Sequence, residues 1–449
     1  MSKFALLFLL IFFGGIFAAL FFSSAAAFWL YQLVYLLNPD DRWWAAVIPG
    51  LPYSFVTSAL MLFVMMLNYR ALTSVSPWSR HPSFKWIVIL LLLYVVALGY
   101  ALAPNTHRIF LVNFIKLIVI FFVAYKLIND EKKLDISLWV YCIGSTYVSY
   151  LIWGTGRNAS GRVEGIGFAD GTDGNGVAAV LAPPLVLLLY YFWQGSKKLK
   201  LLSVFCGALI ANALVLINSR GAFLAVALSA GIFTCFMIFS KWQQKGQRAA
   251  AVFVIVVSAA GALYVTDDLF WERMGTLKSF EEDEGRTSGA YRMQFWWATF
   301  DMVGDNPFGM GISGYNVLSR TYIPPEFMGD MTSRSVHSSW FQLLSDVGWP
   351  GVVVFFFLFV SLASTSRKAK KYVLSQENHN HYFKILAIEC GLISYFIAAT
   401  FIDRIRAEAF WWAILFVMIS SNVFYLKFQE ARGDMLRRKG RVIGGGSSG

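Results

Sequence analysis

The chain has 449 residues, 57% of them hydrophobic and only 14% charged. A soluble domain carries about 25% charged residues, so the composition excludes a globular enzyme on an anchor and indicates a polytopic membrane protein. The formal charge of +12 does not signal nucleic acid, because residues 267–337 hold eleven acidic against six basic residues and the positive excess lies in short loops and the C-terminal tail. That is the charge asymmetry that orients membrane proteins.

A crossing helix needs roughly 17–25 apolar residues. In chain order the segments that qualify are 4–37, 51–68, 84–103, 109–127, 134–153, 175–193, 199–217, 221–239, 249–266, 350–366, 382–402 and 408–426, about twelve transmembrane helices in an all-α chain. Residues 4–37 are long enough for two short spans, but the charge alternation fits one long tilted or broken helix, retained rather than cleaved as a signal. Basic loops at Arg70, Arg80 and Lys85, at Lys126, Lys132 and Lys133, at Lys197, Lys198 and Lys200, at Lys241, Lys245 and Arg248, and at Arg367 to Lys371 go to the cytoplasmic side. Both termini are then expected in the cytoplasm. The segments 38–50, 104–108, 154–174, 218–220, 267–349 and 403–407 fall outside. The organisation reads as helices 1–9 over 1–266, a periplasmic loop over 267–349, helices 10–12 over 350–430, and a tail over 431–449 that ends in a Gly/Ser linker-like run. The four cysteines lie in apolar segments with no metal spacing and read as buried hydrophobes.

Within the large loop, Tyr291 to Val303 has helical apolar spacing and predicts an amphipathic surface helix. Asn306 to Gly311 reads as a turn with close backbone approach. Residues 338–347 are too polar for the centre of a span. Gly348 is placed to end a short helix and Pro350 to start the next, with His337 at the head of the run.

Few residues in such a chain offer chemistry. His337 stands where the polar loop returns to the membrane, and an imidazole there exchanges a proton near neutral pH. Arg220 is pinned between two apolar runs; it is either a snorkelling interfacial arginine or a guanidinium holding phosphate at the rim of a cavity. Segment 154–174 carries Arg157, Arg162 and Glu164, read as either a mobile polar loop or a set of substrate contacts. Arg286 and Arg292 flank the start of the surface helix, and Arg292 shares a face with Trp296. Lys116 and Glu389 are charges inside apolar spans: Lys116 is placed to line an outward-facing cavity, and Lys384 to neutralise Glu389. Asp403, Arg404, Arg406 and Glu408 read as a local ion-pair network. No residue pattern suggests a metal or a phosphate-binding glycine loop.

Taken together, Ser219-Arg220-Gly221-Ala222, the helix from Arg292 to Trp297, the Asn306 to Ile312 turn, and His337-Ser338 followed by nine residues and Gly348-x-x-Gly351 resemble the O-antigen ligase superfamily. The resemblance covers most of residues 50–430. It implies a GT-C-like membrane glycosyltransferase of the Gram-negative inner membrane with a periplasmic active site. The implied reaction moves O-antigen glycan from an undecaprenyl-diphosphate carrier to the lipid A-core of lipopolysaccharide, inverting the anomeric centre without a metal or other cofactor. His337 is the implied general base, Arg220, Arg292 and Arg286 the implied ligands of the donor diphosphate, and Arg157, Arg162, Glu164, Lys116 and Ser338 further substrate contacts. The partners implied are the lipid-linked donor, the lipid A-core acceptor and membrane lipids, and no nucleic acid. Within the superfamily, protein O-oligosaccharyltransferase and O-antigen polymerase remain open; Leu37-Asn38-Pro39 and Leu51-Pro52-Tyr53 resemble a subgroup identified as O-glycosylation ligases. A lipid-linked sugar flippase is the rival from another class, disfavoured because the polar features collect on one side rather than through the spans.

Overall fold

A computed structural model describes residues 2–159, 161–168, 170–171, 173–243, 246–265, 271 and 289–429. Among them every regular element is helical. We number the helices α1 (Lys3–Phe21), α2 (Ala25–Leu37), α3 (Tyr53–Leu67), α4 (Tyr69–Val75), α5 (Ser83–Val96), α6 (Pro104–Leu127), α7 (Glu131–Thr155), α8 (Gly174–Gln194), α9 (Lys197–Ile217), α10 (Arg220–Phe239), α11 (Gln247–Val265), α12 (Gly289–Asp305), α13 (Gly314–Tyr322), α14 (Pro325–Met328), α15 (Ser339–Ser375), α16 (His379–Ala399) and α17 (Glu408–Ser421).

Each expected apolar segment is occupied by helix. Among the described residues nine helices are long and apolar enough to cross a membrane, or ten when α3 and its sharply bent continuation are one broken span; Ser83–Gly99 and Gln247–Gly261 are shorter apolar helices. The protein is thus an all-α polytopic membrane protein. The helix from Glu408 to Gln429 is the centre of the bundle, with 89% of its most apolar window buried, whereas α1 is peripheral at 22%.

The N-terminal segment departs from the expected single crossing. It breaks at residues 22–24, where Ser23 N–H donates to Ala18 O (2.9 Å) and Ala26 N–H to Ser23 O (2.9 Å). Beyond the break α2 folds back on α1: a Cβ added to Gly15 would lie 2.8 Å from the Leu30 side chain. Phe4 packs on Trp43 and Tyr150 with ring centroids 5.2 and 6.4 Å apart. The start of α1 therefore lies at the end of the bundle that carries the 38–52 connection and the end of α7. The described C-terminal stretch lies at the other end, where Phe428 stacks on Tyr372 at 6.0 Å. The expectation of both termini on one side is corrected: a hairpin of two apolar helices reverses the chain once more than a single tilted span would.

The charges within the spans pair differently from the expectation as well. Glu389 is neutralised by Lys370 Nζ at 2.5 Å, not by Lys384. Lys384 instead bridges Glu131 (2.5 Å) and Asp135 (2.9 Å) on α7.

The hairpin carries a direct test. In a cysteine-free background, a membrane-impermeant maleimide should label Ser2→Cys and Asp40→Cys from one side of the membrane and Gln376→Cys only from the other. Labelling of Ser2→Cys together with Gln376→Cys would restore the single crossing.

Candidate active site

The site is built on a helix that breaks. α15 is interrupted at Gly348 (φ 64°, ψ −162°) and resumes at Pro350, as the Gly-x-Pro spacing predicts. The turn at 306–312 docks into the break. Met310 N–H donates to Ser345 O (2.8 Å), Gly311 N–H to Asp346 O (2.9 Å), and Trp349 N–H to Pro307 O (3.1 Å). These bonds satisfy carbonyls and amides that a broken helix leaves orphaned. The two backbones meet so closely that a Cβ on Gly348 would lie 2.2 Å from Pro307 O, and one on Gly309 would lie 2.5 Å from Gly348 N. His107 locks the turn from the other side: its Nδ1 accepts from Ile312 N–H (2.8 Å) and its Nε2–H donates to Tyr94 O (2.9 Å).

The first turn of α15 is tied to the 400–407 loop. Ser339 Oγ donates to Ile402 O (2.7 Å) and accepts from Arg404 N–H (3.0 Å), Trp340 Nε1–H donates to Thr400 Oγ1 (2.9 Å), and Gln342 Oε1 accepts from Ile405 N–H (3.2 Å). Arg406 pairs with the buried Asp346 below the break. The expected local network among 403–408 is therefore corrected. Arg406 and Glu408 are engaged elsewhere, Glu408 through its N–H to Asp170 (3.0 Å) and through Tyr31 Oη–H donating to its carboxylate (2.7 Å). Asp403 is left beside His337 and Arg292.

A third support is the 156–173 loop, which covers the end of α9. Arg157 Nη2 donates to Val215 O (3.2 Å), Val163 N–H to Leu216 O (3.2 Å), and Arg162 Nε to Ile217 O (3.3 Å). These carbonyls are the orphan acceptors of a helix C-terminus, where cations are favoured. Asn218 then reverses the chain in the left-handed region (φ 56°), so only two residues separate α9 from α10 and Arg220 is the first residue of α10. Asp173 caps α8, accepting from Asn175 N–H (3.3 Å) and Gly176 N–H (2.9 Å).

α12 is the surface helix expected at 291–303. It buries Phe295, Ala298, Met302 and Val303 against Met310, Tyr315, Met328 and Val336 in a small core of the loop's own. Trp296 stacks on Phe341 (5.3 Å) and donates through Nε1 to Val336 O (3.2 Å), which fixes the backbone just before His337. His337 itself has φ +50°, a region costly for a side chain other than glycine. Its ring faces Ser335 Oγ, 3.3 Å from Nδ1, and packs on Phe295 at 6.3 Å.

These supports converge. Burial pushes the His337 pKa below the ordinary imidazole value; the charges acting on it are Asp403, which raises it, Arg292, which lowers it, Asp173, which raises it, and Arg334, which lowers it. Burial also lowers the pKa of Arg292, and Arg220, Asp173, Arg162 and Asp403 act on it in turn. Arg292 thus lies within the fields of Arg162 and Arg220 and acts in turn on His337, with Asp173 and Asp403 acting on both. Guanidinium groups gathered in this way repel one another and favour an anion between them.

Other expected members do not join. Lys116 is exposed on α6 between Val112 (44% exposed) and Val119 (40%), on the outer face of the bundle. Ser338 is fully buried at the start of α15, out of reach of a substrate in this conformation. Arg157 serves the end of α9, and Glu164 pairs with Arg162 at 3.2 Å. Arg286 lies outside the described residues. Asp403, Asp173 and Arg334 were visible as charged residues, yet nothing in their spacing marked them as neighbours of the histidine.

A family model described as O-Antigen ligase matches residues 202–356. That stretch of the chain is similar to the O-antigen ligase family. The matched stretch runs from α9 to just past the break in α15, and so contains Arg220, Arg292, the docked turn and His337. No curated protein matches the chain. The similarity supports, at a coarse level, an enzyme of the glycosyltransferase-like ligase or polymerase kind.

Two outcomes follow from this geometry. Gly348→Ala, which sets a methyl group against Pro307 O, should lower stability by about 1–3 kcal/mol and displace His337, measured by thermal unfolding and by transfer activity. If neutral His337 is the acting form, the rate should fall as acid protonates it, at a pH below the ordinary imidazole range. Asp403→Asn removes a charge that raises its pKa and should shift that acid limb lower. Arg292→Gln removes one that lowers it and should shift the limb higher. Identical limbs in the wild type and both variants would dissociate the histidine from the rate.

Proposed function

We propose that the protein is a metal-independent, inverting glycosyltransferase. It moves an O-antigen glycan from an undecaprenyl-diphosphate carrier to the lipid A-core of lipopolysaccharide, at the periplasmic face of the inner membrane. The observation that supports this reading is the gathering of Arg220 and Arg162 around Arg292, which itself acts on His337. On this reading residues 267–349 form the catalytic loop between the helices of 1–266 and those of 350–430, on a GT-C-like frame.

The chemistry needs two things. The carrier leaves as a diphosphate, and the negative charge that develops on the bridging oxygen must be stabilised. Arg220 and Arg292 supply that stabilisation through planar donor forks held by helix starts rather than by flexible loops. The acceptor is a sugar hydroxyl, a weak nucleophile until its proton is removed. His337, kept neutral by burial and by the neighbouring arginines, takes that proton as the oxygen attacks the anomeric carbon and the carbon–phosphate oxygen bond breaks. Direct displacement inverts the configuration. Asp403 steadies the imidazolium that forms.

The same machinery serves a second lipid-linked repeat or a Ser/Thr side chain as acceptor, so acceptor identity is the point to test. Purified protein in liposomes should join a polyprenyl-diphosphate glycan to lipid A-core. His337→Ala should lose about 10²–10⁴-fold in rate, and Arg292→Ala about 10²–10³-fold, with both proteins still folded. Arg220→Lys should be nearly as impaired as Arg220→Ala, because a point charge lacks the fork. Product only with another lipid-linked repeat, or only with a peptide, would move the protein to the polymerase or protein-glycosylating branch. Equal rates for wild type and His337→Ala would remove the histidine from the chemistry.

A further inference from the structure

The end of the bundle opposite the arginine cluster holds a feature that the transfer reaction does not use. A groove of about 790 Å³ opens beside α7, with Tyr191 of α8 and Leu199 of α9 on its other side. Its apolar wall is Ile136, Trp139, Val140 and Ile143, one face of α7 at helical spacing, and Trp139 packs on Tyr191 with ring centroids 4.8 Å apart. From Lys132 at the rim to Ile143 the helix rises about 16 Å at 1.5 Å per residue, roughly half of a hydrocarbon core about 30 Å thick. The groove is therefore one leaflet deep.

In a bilayer an open apolar groove at that depth takes up a hydrocarbon chain, since water there would wet apolar surface. What selects the lipid is the rim. The carboxylates at the rim are already matched by the protein. Lys384 lies 2.5 Å from Glu131 and 2.9 Å from Asp135, His381 Nε2 lies 3.0 Å from Glu131, and Lys133 lies 2.9 Å from Asp130. Tyr191 Oη–H also donates to Asp135 (2.9 Å). Lys132 on the groove, and Lys197, Lys198 and Lys200 flanking Leu199 in the first turn of α9, make no ion pair among the described residues. Among the described residues Lys132 is the one lysine that lines the groove, and with the chain neighbours of Leu199 and the lysines paired to Asp130, Glu131 and Asp135, lysines outnumber carboxylates at and next to its mouth.

We propose that this groove is a binding site for an anionic phospholipid, its acyl chain along Trp139 and its phosphate among Lys132, Lys197, Lys198 and Lys200. The positive-inside pattern puts it in the cytoplasmic leaflet, remote from the transfer site and independent of how that site works.

The test uses the purified full chain in mixed micelles with phosphatidylglycerol or phosphatidylcholine carrying brominated acyl chains. Trp139 is read from the difference in fluorescence quenching between wild type and Trp139→Phe. Phosphatidylglycerol should half-saturate that difference at a mole fraction at least about tenfold below phosphatidylcholine. The combined Lys132→Gln, Lys197→Gln, Lys198→Gln and Lys200→Gln variant should quench alike with both lipids. Equal quenching in the wild type, or a preference that survives loss of the four lysines, overturns the proposal. Should Trp139→Phe not fold, phosphatidylglycerol retained by wild type and by the lysine variant in native mass spectra decides the same point: equal retention overturns it.

Discussion

Two peptide backbones touch at Gly309 and Gly348, and the placement of the helix start behind His337, with the loop that carries Asp403, passes through that contact. Neither position tolerates a side chain: both have positive φ, and an added Cβ would collide with the opposing main chain. Because the 306–312 turn supplies the missing partners, α15 is able to break where it enters the bundle without leaving polar groups bare. The short helix ahead of the break then presents Ser339 and Gln342 to the 400–407 loop, and that loop sets Asp403 beside His337. A continuous α15 would have no such short, separately oriented first segment.

The arginines are held by a different device with the same logic. Arg162 spends its Nε on a carbonyl at the end of α9, and Arg220 stands at the first residue of α10, two positions after a left-handed Asn218. Arg292 comes from the surface helix. Arg162 also pairs with Glu164, and at Arg292 the two other arginines are opposed by Asp173 and Asp403. On the proposed function, a diphosphate entering among these arginines would meet charge already organised for it, so that stabilising the leaving group would cost little rearrangement. The lysines proposed to hold a lipid phosphate at the other end of the bundle would do so by a looser arrangement of point charges, suited to binding without chemistry.

Much of the architecture was legible in the sequence because lipid leaves few choices: apolar length, basic loops, and the Gly-x-Pro break of α15 each have a local physical cause. The surface helix at 291–303 and the docked turn at 306–311 were legible for the same reason. The α1–α2 hairpin was not, since a largely apolar segment of 34 residues satisfies one tilted crossing or two short ones, and the reversal depends on how Leu30 packs at Gly15. In the site, His337, Arg220 and Arg292 stood out by position. Lys116 misled because burial inside a span and exposure on its outer face are identical in sequence, and Ser338 because adjacency to His337 says nothing about which way a hydroxyl points. Asp403 and Asp173 become neighbours of the histidine only through tertiary contacts between segments more than 60 residues apart.

The most direct measurement is a structure of the protein with a non-hydrolysable polyprenyl-diphosphate sugar bound. The diphosphate should lie between Arg220 and Arg292, with the anomeric carbon turned toward the space in front of His337. A diphosphate bound away from both arginines, or a sugar whose anomeric carbon faces away from the histidine, would contradict the assignment of a single transfer site.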